Sequence, residues 1–256
     1  MEYTTILYEQ IGAIVKITLN RPKVLNALNA DMVIELKHAI ERIAQDDSVK
    51  VMIVTGAGRA FSAGVDLKAM NQQSGIKGGL FEGNSIISLG NEMIETMQTM
   101  PKVTIAMVNG YTFTGAMELM MTFDLILAAD EAKIGDTHAK WGIMPKWGMT
   151  QRLPLLVGIL KARELSFTAR AVTGKEAERL GLVNRSVPLA ELESATMQMA
   201  GAILQNSAQA IAAIKLLYHK GIHTTLKEGL QIEQDTNTEI TDRKEFLKNF
   251  EKNKKK

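Results

Sequence analysis

Two stretches carry residue types that could stabilise a developing oxyanion: Ala60-Phe61-Ser62-Ala63-Gly64-Val65-Asp66-Leu67 and Asn109-Gly110-Tyr111-Thr112-Phe113-Thr114-Gly115-Ala116-Met117-Glu118-Leu119. Each follows an apolar, strand-like run, Val49 to Val54 and Val103 to Val108, and each turns through glycine, where backbone N–H groups can converge on one oxygen. Either turn alone reads as an ordinary strand-to-helix connection. As a pair they are the raw material of an oxyanion hole. Glu118 lies just beyond the second turn, in the apolar run Ala116 to Met121. A carboxylate there is costly unless it is paired, opens onto a cleft, or works as a base. The bland alternatives are an ion pair with Arg152 and an exposed helix position.

The elements that must position these residues alternate. Tyr3 to Glu9 and Ala13 to Leu19 read as a hairpin turned near Gly12, with Pro22 ending the second strand. Asn29 is placed to cap a helix from Asp31 to Gln45 whose Met32, Leu36, Ala39, Ile40 and Ile43 form an apolar stripe. Strands at Val49 to Val54, Val103 to Val108 and Leu125 to Ala129 are interleaved with helices at Ile86 to Met100 and Gly115 to Met121, and Asn71 to Gly90 reads as a long loop. The rhythm is strand, strand, helix rather than simple βαβ winding.

The last third is helical. Thr173-Gly174-Lys175-Glu176 has capping-box spacing, and helices are expected at Leu189 to Leu204, Ser207 to Lys220, Thr225 to Ile240 and Asp242 to Glu251, the last two with the same spacing in Thr225…Glu228 and Asp242…Glu245. The expected architecture is one α/β core with a helical appendix.

Composition narrows the function classes. The 256 residues, 46% hydrophobic, suffice for a full core, and the absence of cysteine removes disulfides, thiolate metal sites and a cysteine nucleophile. From Thr241 onward seven basic residues face three acidic ones, a local +4 within a whole-chain +2, so the rest carries −2. No basic face interleaved with aromatics shows in the sequence, and nucleic acid is not an expected partner. Neither a presequence nor a run of transmembrane length is present, so a cytoplasmic protein without a membrane partner is expected. No zinc spacing, phosphate loop or dinucleotide fingerprint occurs.

Five motifs, in order, carry a resemblance: Asn20-Arg21-Pro22-Lys23-Val24-Leu25-Asn26-Ala27-Leu28, Phe61 to Leu67, Asn109 to Leu119, Thr150-Gln151-Arg152-Leu153-Pro154 and Ala177-Glu178-Arg179-Leu180-Gly181-Leu182-Val183. Together they resemble the crotonase superfamily of enoyl-CoA hydratases and isomerases over almost the whole chain. The resemblance implies an α/β spiral of ββα repeats over residues 1–190 and a C-terminal helical trimerisation region over 191–256. It also implies homotrimers or homohexamers, and an acyl-CoA substrate with no separate cofactor and no metal. It assigns the oxyanion donors to the N–H groups of Val65 and Gly115, the first catalytic acid–base to Glu118, and the CoA contacts to Lys23, Ala63, Asp66, Leu67 and Lys68.

One departure stands out. His138 occupies the position where hydratases of the family carry a second glutamate. It could donate a proton near neutral pH, with Asp136 orienting it if the segment is extended; a structural histidine bonded to a carbonyl is the alternative. Thr114 and Ala116 replace glycines usual beside the second turn and would narrow the pocket. Trp141, Trp147 and Phe81 are candidates for the acyl pocket, with core packing the better expectation for Trp141. The reaction implied is hydration of a 2-enoyl-CoA. Double-bond isomerisation, decarboxylation and hydrolysis are alternatives within the family, and a CoA-thioester binder without chemistry is the alternative outside it.

Overall fold

The computed structural model describes residues 1–66, 86–244 and 246–247. An antiparallel hairpin, β1 (Ile6–Ile11) and β2 (Ile14–Leu19), turns through Gly12 and Ala13, with Gly12 at φ +59°. A single 3-10 turn at Pro22–Val24 leads to α1 (Ala30–Gln45), which begins where the Asn29 side chain accepts a hydrogen bond from Met32 N. The expected stripe of Met32, Leu36, Ala39, Ile40 and Ile43 is buried in the hydrophobic core.

Three strand–strand–helix units follow. They are β3 (Val51–Gly56), β4 (Ala60–Ser62) and α2 (Ile86–Thr99); β5 (Val103–Val108), β6 (Tyr111–Phe113) and α3 (Gly115–Met120); and β7 (Leu125–Ala129), β8 (Lys133–Gly135) and α4 (His138–Trp141). Within each unit the first strand joins a six-stranded sheet of order β1-β2-β3-β5-β7-β10, where β10 is Arg185–Val187. The second joins a four-stranded sheet of order β4-β6-β8-β9, where β9 is Val172–Thr173. Every unit therefore advances one strand in both sheets, and β4, β6 and β8 lie side by side and parallel. Their C-terminal ends open onto one edge of the core. The segments leaving those ends contain Val65, Gly115 with Glu118, and His138. Residues far apart in sequence are brought together because they occupy equivalent places in three successive repeats.

The chain continues through α5 (Met149–Val157), α6 (Ile159–Thr168), β9 (Val172–Thr173), α7 (Gly174–Arg179) and β10 (Arg185–Val187) to α8 (Leu189–Leu204), α9 (Ala208–Gly221) and α10 (Leu226–Asp235). Leu192, Ala195 and Ala200 of α8 pack into the core, whereas α9 buries no residue fully. A polar anchor ties α9 down instead. Lys215 Nζ donates to Met97 O at 3.0 Å, Lys102 O at 2.9 Å and Asp124 Oδ2 at 2.8 Å. Burial lowers its pKa despite the Asp124 charge.

Several boundaries differ from expectation. The helix begun at Thr225 ends at Asp235 rather than Ile240, because Thr236 turns extended and the Thr236-Asn237-Thr238 run favours local side-chain bonding over helix. The capping box at Thr225…Glu228 is complete, but at Thr173 only half forms, with Glu176 N donating to Thr173 Oγ1. Glu245 and residues 248–251 of the helix expected from Asp242 to Glu251 lie outside the described residues, as do residues 71–85 of the expected loop; residues 86–90 belong to α2. Among the described residues no helix is long and apolar enough to cross a membrane.

Candidate active site

The first glycine turn is pinned from behind. Leu28 N donates to Gly64 O at 2.8 Å, Asp66 N to Leu28 O at 2.9 Å and Ala63 N to Leu25 O at 2.9 Å. Because residues 64 and 66 face Leu28, the intervening Val65 N–H points to the opposite side, and it has no partner among the described residues. The buttress depends on Asn26, held with Leu25 at φ +54° in a conformation that asparagine tolerates. Its side chain accepts from Arg21 N at 2.9 Å and donates to Ala57 O at 3.0 Å and Ala60 O at 2.8 Å. Asn109 does the same for the next unit, accepting from Gly56 N at 3.1 Å and donating to Gly58 O at 2.9 Å. Neither asparagine was given a role from sequence. The signal was available: each is a buried-type position beside a turn that leaves backbone groups unpaired.

The second turn touches the first. A Cβ on Gly64 would lie 2.0 Å from Thr114 Oγ1 and 3.2 Å from Gly115 N, and one on Gly115 would lie 3.0 Å from Val65 Cγ2. Gly115 N–H, at the first position of α3, also has no partner among the described residues. Thr114 holds φ +47°, ψ −122°, a region that costs a β-branched residue strain. It lines a cavity of about 320 Å³ together with Val24, Ala27, Ala63, Val65, Asp66, Trp141 and Ile143. Ala116 is wholly buried inside α3 and does not line this cavity, so the expected narrowing falls to Thr114 alone.

Glu118 lies one turn into α3 and is only 2% exposed. Its Oε1 accepts from Trp147 N at 2.8 Å and Met149 N at 3.1 Å, alternate amides that converge because Gly148 between them adopts φ +105°. Met149 is also the first residue of α5, whose dipole favours a carboxylate there. The alternative of an ion pair with Arg152 is not what forms. Arg152 instead donates to Gln98 Oε1 at 3.0 Å and only feels the Glu118 charge at a distance.

Glu118 Oε2 faces His138 Nε2 at 3.4 Å. On its other side His138 Nδ1 is 2.6 Å from Asp136 Oδ1, which also accepts from His138 N at 3.2 Å. Asp136 therefore does orient His138, but through a tight turn preceding α4 and not across an extended strand. Burial works against a charged imidazole, yet the hydrogen bonds to Asp136 and Glu118 prevail and hold its pKa at about 9. Burial likewise works against the Asp136 carboxylate; bonds from His138 and Ser166 outweigh it and keep its pKa low. At neutral pH the arrangement is a His138 imidazolium held between the carboxyl groups of Asp136 and Glu118.

Trp141 is not the expected core residue, and the two tryptophans differ sharply in exposure. Trp141 is 56% exposed and lines the cavity mouth with Lys140 over its ring, whereas Trp147 is 3% exposed and packs inward. The Trp147 ring fits a notch left by Gly90, where a Cβ would meet it at 2.3 Å, and its Nε1 donates to Ile87 O at 3.2 Å. Of the expected CoA contacts, Ala63 and Asp66 line the cavity, and Asp66 pairs with Arg21 Nη1 at 3.2 Å. Lys23 is exposed on the 3-10 turn beside it. Leu67, Lys68 and Phe81 lie outside the described residues.

Comparison with known proteins places the chain as a whole. The sequence profile of the family described as Enoyl-CoA hydratase/isomerase matches residues 9–256. A short-chain-enoyl-CoA hydratase of Clostridium acetobutylicum is 35% identical over 236 residues, covering 92% of this chain and 88% of that protein. A crotonyl-CoA hydratase of Syntrophomonas wolfei is 36% identical over 236 residues, covering 92% and 89%. The crystal structure of an enoyl-CoA hydratase from Bacillus anthracis superposes with a TM-score of 0.89 at 32% identity, covering 98% of this chain and 97% of that one. Repeat architecture, paired glycine turns and extent of similarity all lead to one conclusion: this chain belongs to the enoyl-CoA hydratase/isomerase family.

Proposed function

We propose that this protein hydrates a 2-enoyl-CoA thioester. The thioester carbonyl oxygen accepts from the N–H groups of Val65 and Gly115, which have no partner among the described residues and stabilise the enolate-like state more than the ground state. Glu118 takes a proton from water as its oxygen bonds to the β carbon, and His138, as imidazolium, gives a proton to the α carbon. Each turnover leaves Glu118 protonated and His138 neutral. The 3.4 Å contact between them lets the proton return, which resets the pair without an external carrier.

That contact is the observation that carries the reading: a base and a charged acid, both buried and anchored, beside two converging amides. Isomerisation needs one shuttling base and would leave the anchored imidazolium without a task. Lys23, Ala63, Asp66, Leu67 and Lys68 hold the CoA portion, and no separate cofactor takes part. Incubation with a panel of 2-enoyl-CoA thioesters headed by crotonyl-CoA, read by mass spectrometry, tests the assignment. A gain of one water is expected. An isomerised product of unchanged mass, or no change on any member, overturns it.

The assembly proposed is a homotrimer or a pair of trimers, built through residues 191–256 in the cytoplasm. Support comes from α9, α10 and the turn between them, where Ile214, Tyr218, Ile222, Leu226 and Leu230 are exposed. Light scattering at micromolar concentration is expected to give three or six chains, and a monodisperse monomer contradicts it.

A further inference from the structure

We infer that the Trp147 indole closes the acyl end of the site and restricts the substrate to short acyl chains, an inference that rests on the acyl-thioester reading above. With the carbonyl oxygen at Val65 N and Gly115 N, the α and β carbons must lie within reach of Glu118 and His138. Carbons beyond the β position then run past Gly115 and the Glu118 carboxylate. Both lie directly against Trp147, whose backbone N–H holds Glu118 Oε1 at 2.8 Å and whose ring carbons stand 3.3 Å from where a Cβ on Gly115 would be.

The ring is not a movable gate. Its Nε1 is tied to Ile87 O, and its Nε1–Cε2–Cζ2 edge is sunk into α2 at Gly90, so closely that any side chain at 90 would collide with it. A glycine inside a helix carries a propensity penalty. Here the penalty has a structural counterpart, because without that notch the indole could not sit against Gly115. Swinging the ring aside for a longer chain means breaking the Nε1 bond and leaving the notch empty, so added methylenes meet a fixed wall instead of a yielding pocket.

The test separates this assignment from the reading beneath it. Affinities of saturated butyryl-CoA and octanoyl-CoA, which cannot react, are measured by calorimetry on wild type, Trp147→Ala and Trp147→Phe, alongside turnover of crotonyl-CoA and 2-octenoyl-CoA. Wild type is expected to favour the short thioester by about tenfold or more in both readouts. Trp147→Ala should erase or reverse that preference, and Trp147→Phe, which keeps a ring if the alanine variant fails to fold, should fall between. Turnover of crotonyl-CoA with equal preference for the long chain in wild type overturns the assignment and leaves the hydratase reading standing. A length preference unchanged in both variants also overturns it. A length preference in binding without hydration of any thioester overturns the hydratase reading and upholds the wall. Binding of neither acyl-CoA overturns both.

Discussion

His138 Nε2 stands 3.4 Å from Glu118 Oε2, while each side chain is fixed at its far end, His138 by Asp136 and Glu118 by the amides of Trp147 and Met149. A buried contact anchored at both ends keeps its geometry through a proton transfer, and it couples folding to pH. The folded pKa of His138, about 9, lies above its ordinary value of 6.5. The resulting stability is fully present below pH 6.5 and is lost as pH rises through 9, with a slope of at most about 1.4 kcal/mol per pH unit. Thermal unfolding midpoints measured across pH 6 to 10 should fall over that window in wild type. His138→Gln should flatten the fall; an equal fall in both would place the titrating group elsewhere.

The same proton governs the rate. Activity should decline as pH rises through about 9, because neutral His138 cannot protonate the α carbon. Asp136→Asn removes a carboxylate partner and should move that decline toward the ordinary histidine range. Its crotonyl-CoA KM should change little, since Asp136 touches no substrate. A pH profile identical to wild type would reduce Asp136 to packing. His138→Ala should lose rate heavily, and His138→Glu should retain or raise hydration.

Thr114 fills the space that a side chain at position 64 would need. Thr114→Gly should raise stability by about 1 kcal/mol, as relief of positive-φ strain exceeds the added chain entropy. Gly64→Ala should cost about 3 kcal/mol or more, since its Cβ would meet Thr114 Oγ1 at 2.0 Å and Phe113 O at 2.6 Å at φ +94°. Chemical denaturation of the double variant should recover part of that loss, because the Phe113 carbonyl clash remains. Strict additivity would mean that the two residues do not collide.

Glu35 ties the N-terminal segment to α1. Its carboxylate accepts from Thr4 N, Thr4 Oγ1, Thr5 N, Thr5 Oγ1 and Ile6 N at 2.7 to 3.2 Å. Burial works against the charge, yet these bonds bring the pKa below its ordinary 4.5. The stabilisation is therefore present above pH 4.5 and is lost as pH falls through the lowered folded value. Glu35→Gln should cost about 2 kcal/mol at neutral pH in urea unfolding, and the difference from wild type should shrink in acid. A difference that persists unchanged there would contradict the assignment.

Much of this was legible in the residues because local rules and tertiary demands agree. Val103–Val108, Leu125–Ala129 and Leu189–Leu204 have the bounds their apolar patterns imply, and Asn29 caps as its type predicts. Glu118 could be singled out because a carboxylate in an all-apolar helix needs a reason. What surrounds it could not. The amides of Trp147 and Met149 carry no sequence signature beyond Gly148, and Asp136 reaches His138 through a turn that the segment's pattern does not announce. Which tryptophan turns inward was hidden too, since the notch at Gly90 that receives Trp147 belongs to a helix of an earlier repeat.

The most direct test of the central claim is the hydration rate of crotonyl-CoA by Glu118→Gln beside wild type, with CoA affinity measured on both. The amide keeps the size of the side chain and leaves the Val65 and Gly115 donors untouched, but it cannot take the proton from water. A rate loss of roughly a thousandfold or more with affinity within about twofold is predicted, consistent with the usual share of general-base catalysis. Hydration that survives within about tenfold, equivalent to about 1.4 kcal/mol of barrier, would contradict the account.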